Sequence, residues 1–236
     1  MQKRLIVNAD DFGLSEGVNR GIALSHERGI LTSASLMVRQ SGAQDAAQYA
    51  RQHPRLGVGL HIDLGEWDYR EGAWKAIYQV VPLDDRVAIE AEIRRQLDEF
   101  RRLMNDNPTH VDSHQHVHGS GLVRSVAAEL AAELGVPLRN VMPDVRYCGD
   151  FYGQSGKGEL HPECIGVDAL LGILRALPPG VTELACHPGD DAALPSSYRQ
   201  ERMIEVATLC DPIVKAAIVE LNLGLCSFRD FRGLLK

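Results

Sequence analysis

Two spacings of apolar residues take turns along this chain. Runs of strand length come first: Leu5-Ile6-Val7-Asn8-Ala9, residues 32–38, and Leu56-Gly57-Val58-Gly59-Leu60-His61-Ile62-Asp63-Leu64, whose glycines permit close backbone approach. Between them, apolar residues recur every three or four positions, the spacing of a helix with one buried face. Ser15 is the expected N-cap of a helix that carries Val18, Ile22 and Leu24 and stops at Gly29. Residues 43–52 read as a helix closed by His53-Pro54, and residues 83–104 as a long charged helix with Val87, Ile89, Ile93, Leu97, Phe100 and Leu103 inward. The pattern then predicts helices over 122–134, 167–177, 197–209 and 212–221, and strands over 138–141, 181–186 and 223–227, with a last helical turn over 228–235. Two segments follow neither spacing. Residues 65–82, with Trp67, Tyr69, Trp74 and Tyr78, are expected to be a long loop of the lid kind, and residues 142–166 an irregular stretch.

Strands alternating with helices imply a parallel sheet, and the count fits an α/β fold, an incomplete or distorted (β/α) barrel of six or seven parallel strands. A doubly wound open sheet is the alternative. The barrel is preferred because Asp10, Asp11, His61, Asp112, His114 and His187 all fall at the C-terminal ends of strands, the face on which barrels gather catalytic groups. Residues 1–236 are expected to form one domain, since no repeat, low-complexity tract or linker interrupts them and a 44% hydrophobic content can supply a substantial core.

Composition narrows the partners. A formal charge of −7 without a Lys or Arg run argues against a nucleic-acid surface. Five cysteines without CxxC spacing indicate neither a disulfide framework nor a zinc ribbon, and a reducing compartment fits them. The start, Met1-Gln2-Lys3-Arg4, passes straight into a strand, and no apolar run approaches the ~20 residues that span a bilayer, so a cytoplasmic protein without a membrane span is expected. Gly153-Gln154-Ser155-Gly156-Lys157-Gly158 fails as a phosphate loop, because glycine would be required at Phe151 and Ser or Thr at Gly158.

The chemistry concentrates in Thr109-His110-Val111-Asp112-Ser113-His114-Gln115-His116-Val117-His118, which holds four of the nine histidines. Imidazole and carboxylate together suit zinc, iron or manganese better than calcium. Asp11, His61 and His114 are suitable ligands on three strand ends, and of the neighbours Asp10 and Asp11 one could bind metal while the other acts as base. Both reach one site only if the strand has ended and the backbone turns at Phe12-Gly13. His187 is then a candidate general acid for a leaving amine. Each has a plainer reading. Asp10-Asp11 could cap the next helix, His61 could be a buried histidine satisfied by backbone, and His187 could be a turn residue before Pro188-Gly189. Asp112 could be a ligand or could orient one of the histidines; His116 and His118 are expected to face substrate or support ligands, and Cys186 to be core.

These residues resemble the YdjC-like carbohydrate deacetylases, a family that includes chitooligosaccharide deacetylases and a deacetylase of hopanoid biosynthesis. The resemblance is carried by Val7-Asn8-Ala9-Asp10-Asp11-Phe12-Gly13 with Thr32-Ser33, by Gly59-Leu60-His61, and by Thr109 through His118, supported by His187-Pro188-Gly189 and Ser227-Phe228-Arg229-Asp230. It implies a barrel-like fold and metal-dependent removal of acetyl groups from N-acetylated sugars, with an oligosaccharide or small-molecule substrate and one divalent metal ion, zinc or magnesium. It also implies the metal on Asp11, His61 and His114, Asp10 as base and His187 as acid. Gln115 departs from the pattern, where many relatives carry histidine. A homodimer is the expectation for barrel enzymes of this kind. The rivals are a metal-dependent hydrolase of another bond, such as a phosphoester, and a non-catalytic sugar- or metal-binding protein. A phosphoesterase would be expected to show more Arg and Lys at the strand ends.

Overall fold

The computed structural model describes residues 2–191, 194 and 196–231. Strands and helices alternate from the start: β1 (Lys3–Phe12), α1 (Glu16–Arg28), β2 (Ser33–Leu36), α2 (Ala43–Gln52) and β3 (Gly57–Ile62). A hairpin of β4 (Gly65–Arg70) and β5 (Ala73–Gln79) precedes α3 (Arg86–Met104), β6 (Val111–Ser113) and α4 (Gly121–Leu134). The second half contains β7 (Val145–Cys148), α5 (Val167–Ala176), β8 (Gly180–Cys186), α6 (Gln200–Cys210), α7 (Pro212–Glu220) and β9 (Gly224–Leu225). Among the described residues no helix is long and apolar enough to cross a membrane.

The main sheet runs β6-β3-β2-β1-β8-β7 with every neighbour parallel, and β9 adds to the beginning of β1 beside Arg4 and Leu5. It curls into an incomplete barrel whose open side lies between β6 and β7. The strand expected over 138–141 is reduced to one parallel bridge, Leu138 to Val111, because Asn140 takes φ of 59° and turns the chain off the extended path. The missing strand appears later as β7, inside the stretch expected to be irregular, paired with β8.

The alternation of β1 explains how one sheet carries both a core and a site. Leu5, Val7 and Ala9 join the large cluster shared with the helices, whereas Ile6 belongs to a second cluster with Val145, Cys226, Phe228 and Phe231. That small cluster closes the inner bottom of the barrel, with Phe228 and Phe231 coming from a short turn after β9; the rest of the predicted final helix lies outside the described residues. Above it on the inner face stand polar side chains: Asn8, Asp10, Ser33, Ser35, His61, His110, Asp112 and Glu183, all buried. Gly59 is required here, since a Cβ would stand 2.4 Å from the His110 ring.

The helices seal the outside. In α1 the Ser15 hydroxyl accepts from Val18 N–H, as expected of its N-cap. In α3 Asp85 accepts from Val87 and Ala88, and Ile89, Ile93, Leu97, Phe100 and Leu103 are buried, each worth about 1.5–3 kcal/mol of transfer free energy. The expected lid loop is instead an antiparallel hairpin. Its turn residues Glu71 and Gly72 both have positive φ, 54° and 80°, the geometry of a tight two-residue turn that matches the strand twist.

Candidate active site

At the mouth of the barrel, β1 does something a regular strand cannot. Its pairing with β2 shifts register between Ala9 and Phe12, and Asp11 adopts φ of 65°. Two adjacent carboxylates, which would otherwise point to opposite faces, thereby enter one cavity. The strand does not end before Phe12, as the sequence suggested; it continues through Phe12 and the irregularity turns the side chain. Backbone in this region for a non-glycine residue costs on the order of 1–3 kcal/mol and recurs where geometry serves function.

Asp11 Oδ1 lies 2.9 Å from His114 Nδ1 and 3.4 Å from His61 Nε2, with His61 at the end of β3 and His114 immediately after β6. Asp11 Oδ2 is held by Arg202 of α6 at 2.6 Å. His61 Nδ1 sits 2.8 Å from Asp112 Oδ1, which fixes the ring and directs Nε2 toward Asp11. That Nε2 is buried and has no hydrogen-bond partner among the described residues. A buried imidazole nitrogen with no protein partner, beside a carboxylate and a second imidazole, is a donor set that fits a divalent cation. Asp11, His61 and His114 thus offer ligand atoms within 4.8 Å of one another, and so do Asp10, His61 and Asp112. The second set is already spent, because Arg139 bonds Asp10 and Asp112 and Ser35 donates to Asp112 at 2.8 Å.

Charge balance in the floor is set by Arg139. Its side chain is fully buried and meets Asp10, Asp112 at 2.6 Å and Glu183. Burial opposes the ionisation of Asp10, but Arg139, His61 and His187 outweigh it and lower its carboxyl below the ordinary range. The same contest leaves Asp11 low, through Arg202 and His114, and Asp112 low, through His61 and Arg139. Glu183 goes the other way: burial exceeds the pull of Arg139 and pushes it up to about 7. On the opposite wall His187 Nε2 stands 3.6 Å from Asp10 Oδ2, and burial pushes its imidazolium down to about 4 against the attraction of Asp10 and Asp11. Glu205 accepts from the His187 N–H and the Tyr198 hydroxyl, and burial raises its carboxyl to about 8.

Asp10, Asp11, His61, His114, His187 and Arg202 line a cavity of about 580 Å³ walled by Trp67, Trp74, His116, Tyr147, Tyr152 and Tyr198, whereas Asp112, Arg139, Glu183 and Glu205 support it from behind. The five residues expected to bind metal or move protons, Asp10, Asp11, His61, His114 and His187, therefore meet in one cavity, with Asp112 behind His61. The other histidines divide. His116 lines the cavity and shares a 3.0 Å hydrogen bond with Tyr147 OH. His118 faces inward as a structural brace, its ring nitrogens 2.7 Å from Ser113 Oγ and 3.0 Å from Arg139 O, so it does not face substrate. His110 is likewise taken up by Ser35 and Thr109. Cys186 is buried in the core, donating toward Asn8 O. The segment with Ser155 to Gly158 is a surface loop in which Ser155 N–H donates to Glu159 O and Gly158 N–H to Ser155 O, so two of its amides are turned to its own backbone.

Sequence reasoning missed Arg139, Arg202, Glu183 and Glu205. Arg139 lies inside the strand expected over 138–141, near its start, so the strand-end rule that found the aspartates does not point to it; the only signal is a lone charge in an apolar strand. Arg202 and Glu205 sit on a helix, α6, in which nothing local marks charged residues as buried.

A family model described as YdjC-like protein matches residues 4–220. A chitooligosaccharide deacetylase from Serratia marcescens is 34% identical over 262 residues, covering 98% of this chain and 100% of that protein. A carbohydrate deacetylase from Geobacillus stearothermophilus is 34% identical over 255 residues, covering 99% of this chain and 100% of the relative. Among solved structures, an Enterococcus faecalis V583 protein named for cellobiose-phosphate cleavage superposes with a TM-score of 0.81 at 25% identity, covering 98% of this chain and 100% of that one.

Proposed function

The chain belongs to the YdjC-like protein family, and from that premise we propose that it is a metal-dependent carbohydrate deacetylase. Its substrate is an N-acetylated sugar, an N-acetylglucosamine-containing oligosaccharide or glycolipid, which it converts to acetate and an amino sugar. The observation that carries this is the open Nε2 of His61, buried and oriented by Asp112 toward Asp11 with His114 beside it. Asp11, His61 and His114 would hold one divalent ion, zinc or magnesium, which when bound polarises a carbonyl oxygen and acidifies a water.

The chain's own residues supply the proton movements. Asp10, kept ionised by Arg139, takes a proton from the attacking water as the water oxygen bonds to the acetyl carbon. His187 is uncharged at neutral pH, because burial has pushed its imidazolium down to about 4. It therefore serves as acid only by relaying a proton received from Asp10, 3.6 Å away, to the departing nitrogen as the C–N bond breaks. Arg139 and Arg202 are both committed to carboxylates, which leaves neither positioned to clamp a phosphate and disfavours phosphoester hydrolysis.

The test is acetate release from N-acetylglucosamine oligosaccharides and lipid-linked N-acetylglucosamine, using protein stripped of metal and then refilled with zinc or magnesium. Release should vanish on stripping and return on refilling. Stoichiometric metal binding without acetate from any substrate would refute the assignment.

A further inference from the structure

The β4–β5 hairpin contributes no donor to the Asp11 cluster, yet it is fastened to it. A two-stranded hairpin is marginal on its own, and this one is held at two points. Gln115, next to His114 and with φ of 49°, sends its amide across to Trp67: Trp67 N–H donates to Oε1 at 2.9 Å, and Nε2 donates to Trp67 O at 2.8 Å. At the base, Tyr78 OH donates to Asp63 Oδ1 at 2.9 Å and accepts from Gln40 Nε2 at 3.2 Å.

Pairing decides which side chains share a face. Trp67 lies opposite Ala76 and Tyr69 opposite Trp74, so Trp67, Tyr69 and Trp74 stand together while Asp68, Arg70 and Lys75 occupy the reverse face. The aromatic face borders the active-site cavity through Trp67 and Trp74. The Tyr69 and Trp74 rings meet edge to face with centroids 5.7 Å apart, and Lys157 approaches Tyr69 from the facing loop at 6.0 Å. Trp74 nevertheless remains 58% exposed. An exposed indole beside two half-buried rings, continuous with a reaction cavity and tied to its donor loop, forms a platform awaiting a partner.

We infer that the Trp67, Tyr69 and Trp74 face is a subsite for a second sugar ring, adjacent to the ring whose acetyl group reacts. The inference rests on the carbohydrate deacetylation proposed above. A pyranose presents C–H bonds on its faces and hydroxyls around its rim, so stacking buries the apolar part while the hydroxyls stay hydrated. Recognition is by stacking rather than charge: Lys157 stands at the Tyr69 edge of the aromatic face, and Asp68, Arg70 and Lys75 lie on the reverse face. The consequence is selection for a chain of N-acetylated sugars over the monosaccharide.

Both tryptophans of the chain lie in this hairpin, so indole emission reads the subsite without requiring turnover. In a Trp67→Phe variant Trp74 is the sole tryptophan, and excitation at about 295 nm reads it apart from the tyrosines. Its emission should shift on titration with tri-N-acetylchitotriose, saturating at about tenfold lower concentration than with N-acetylglucosamine. In Trp74→Ala the ratio of kcat/KM for trisaccharide to that for monosaccharide should fall about tenfold. An emission unmoved by trisaccharide, an unchanged ratio, or an emission that follows protein dilution rather than sugar, as a second copy on this face would produce, overturns the subsite. An emission response without acetate release keeps the subsite and refutes deacetylation. Acetate release without an emission response does the reverse, and neither response refutes both.

Discussion

Replacing Arg139 with methionine removes the cation that three carboxylates share while keeping a side chain of similar length. Arg139 Nη1 bonds Asp10 and Asp112, Nε bonds Glu183, and all four residues are buried. Breaking a buried pair by deleting one partner costs about 3–5 kcal/mol, because the remaining charge is stranded. Against a total stability of about 5–15 kcal/mol this is a large share. For a chain of this length each kcal/mol lowers the melting temperature by about 2–4 °C, so a fall of roughly 6–20 °C is expected. Glu183 adds a pH signature. Its carboxyl is raised from 4.5 to about 7, so the folded state binds more protons than the unfolded one across that window. Its stabilising contribution is full below 4.5 and is lost as pH rises through about 7. Without Arg139 the folded-state value rises further, so the gap between variant and parent should be wider at about pH 8 than at about pH 5.5. Melting curves at the two pH values provide the assay. A melting temperature within about 2 °C of the parent, or a gap that ignores pH, would refute the shared-cation reading.

Other expectations follow from single contacts. Asp112→Asn removes the charge that orients His61, and metal affinity measured by competition with a chelating dye should fall about 10–100-fold; an unchanged affinity would contradict the role. Gly59→Ala drives a methyl group into the His110 ring, which Ser35, Thr109 and Phe228 hold in place, and should cost about 1–3 kcal/mol in a urea titration. A variant as stable as the parent would mean the ring moves freely. Cys186 is buried and its thiol is pushed well up by that burial, so iodoacetamide should leave it unmodified in the native protein. Mass spectrometry showing its alkylation without unfolding would contradict this.

How much of this was legible beforehand depended on whether the determining contact was local. The strands and helices around Leu5-Ile6-Val7, Ser15 and Leu97 were readable because each element announces its own period and cap. Asp10, Asp11, His61, His114 and His187 were readable because a parallel barrel gathers the ends of its strands. Arg202 and Glu205 were not, since their burial results from α6 packing across the barrel mouth, with Arg202 reaching back to Asp11. Nor was the partial fifth strand, because the left-handed turn at Asn140 is decided by tertiary fit. The hairpin was legible in principle, since Trp67-Asp68-Tyr69-Arg70 alternates and Glu71-Gly72 is a turn pair, but over residues 65–82 as a whole no period stands out and the length read as a lid loop.

The most direct measurement is acetate release by metal-loaded Asp10→Asn, with its bound metal quantified in the same sample. Asp10 is bonded by Arg139 and Asn8 and stands outside the Asp11, His61 and His114 donor set, so the variant should retain one metal ion per chain and lose turnover by at least about 100-fold. Full activity with metal retained would contradict a base at Asp10, and with it the division of labour between the two aspartates.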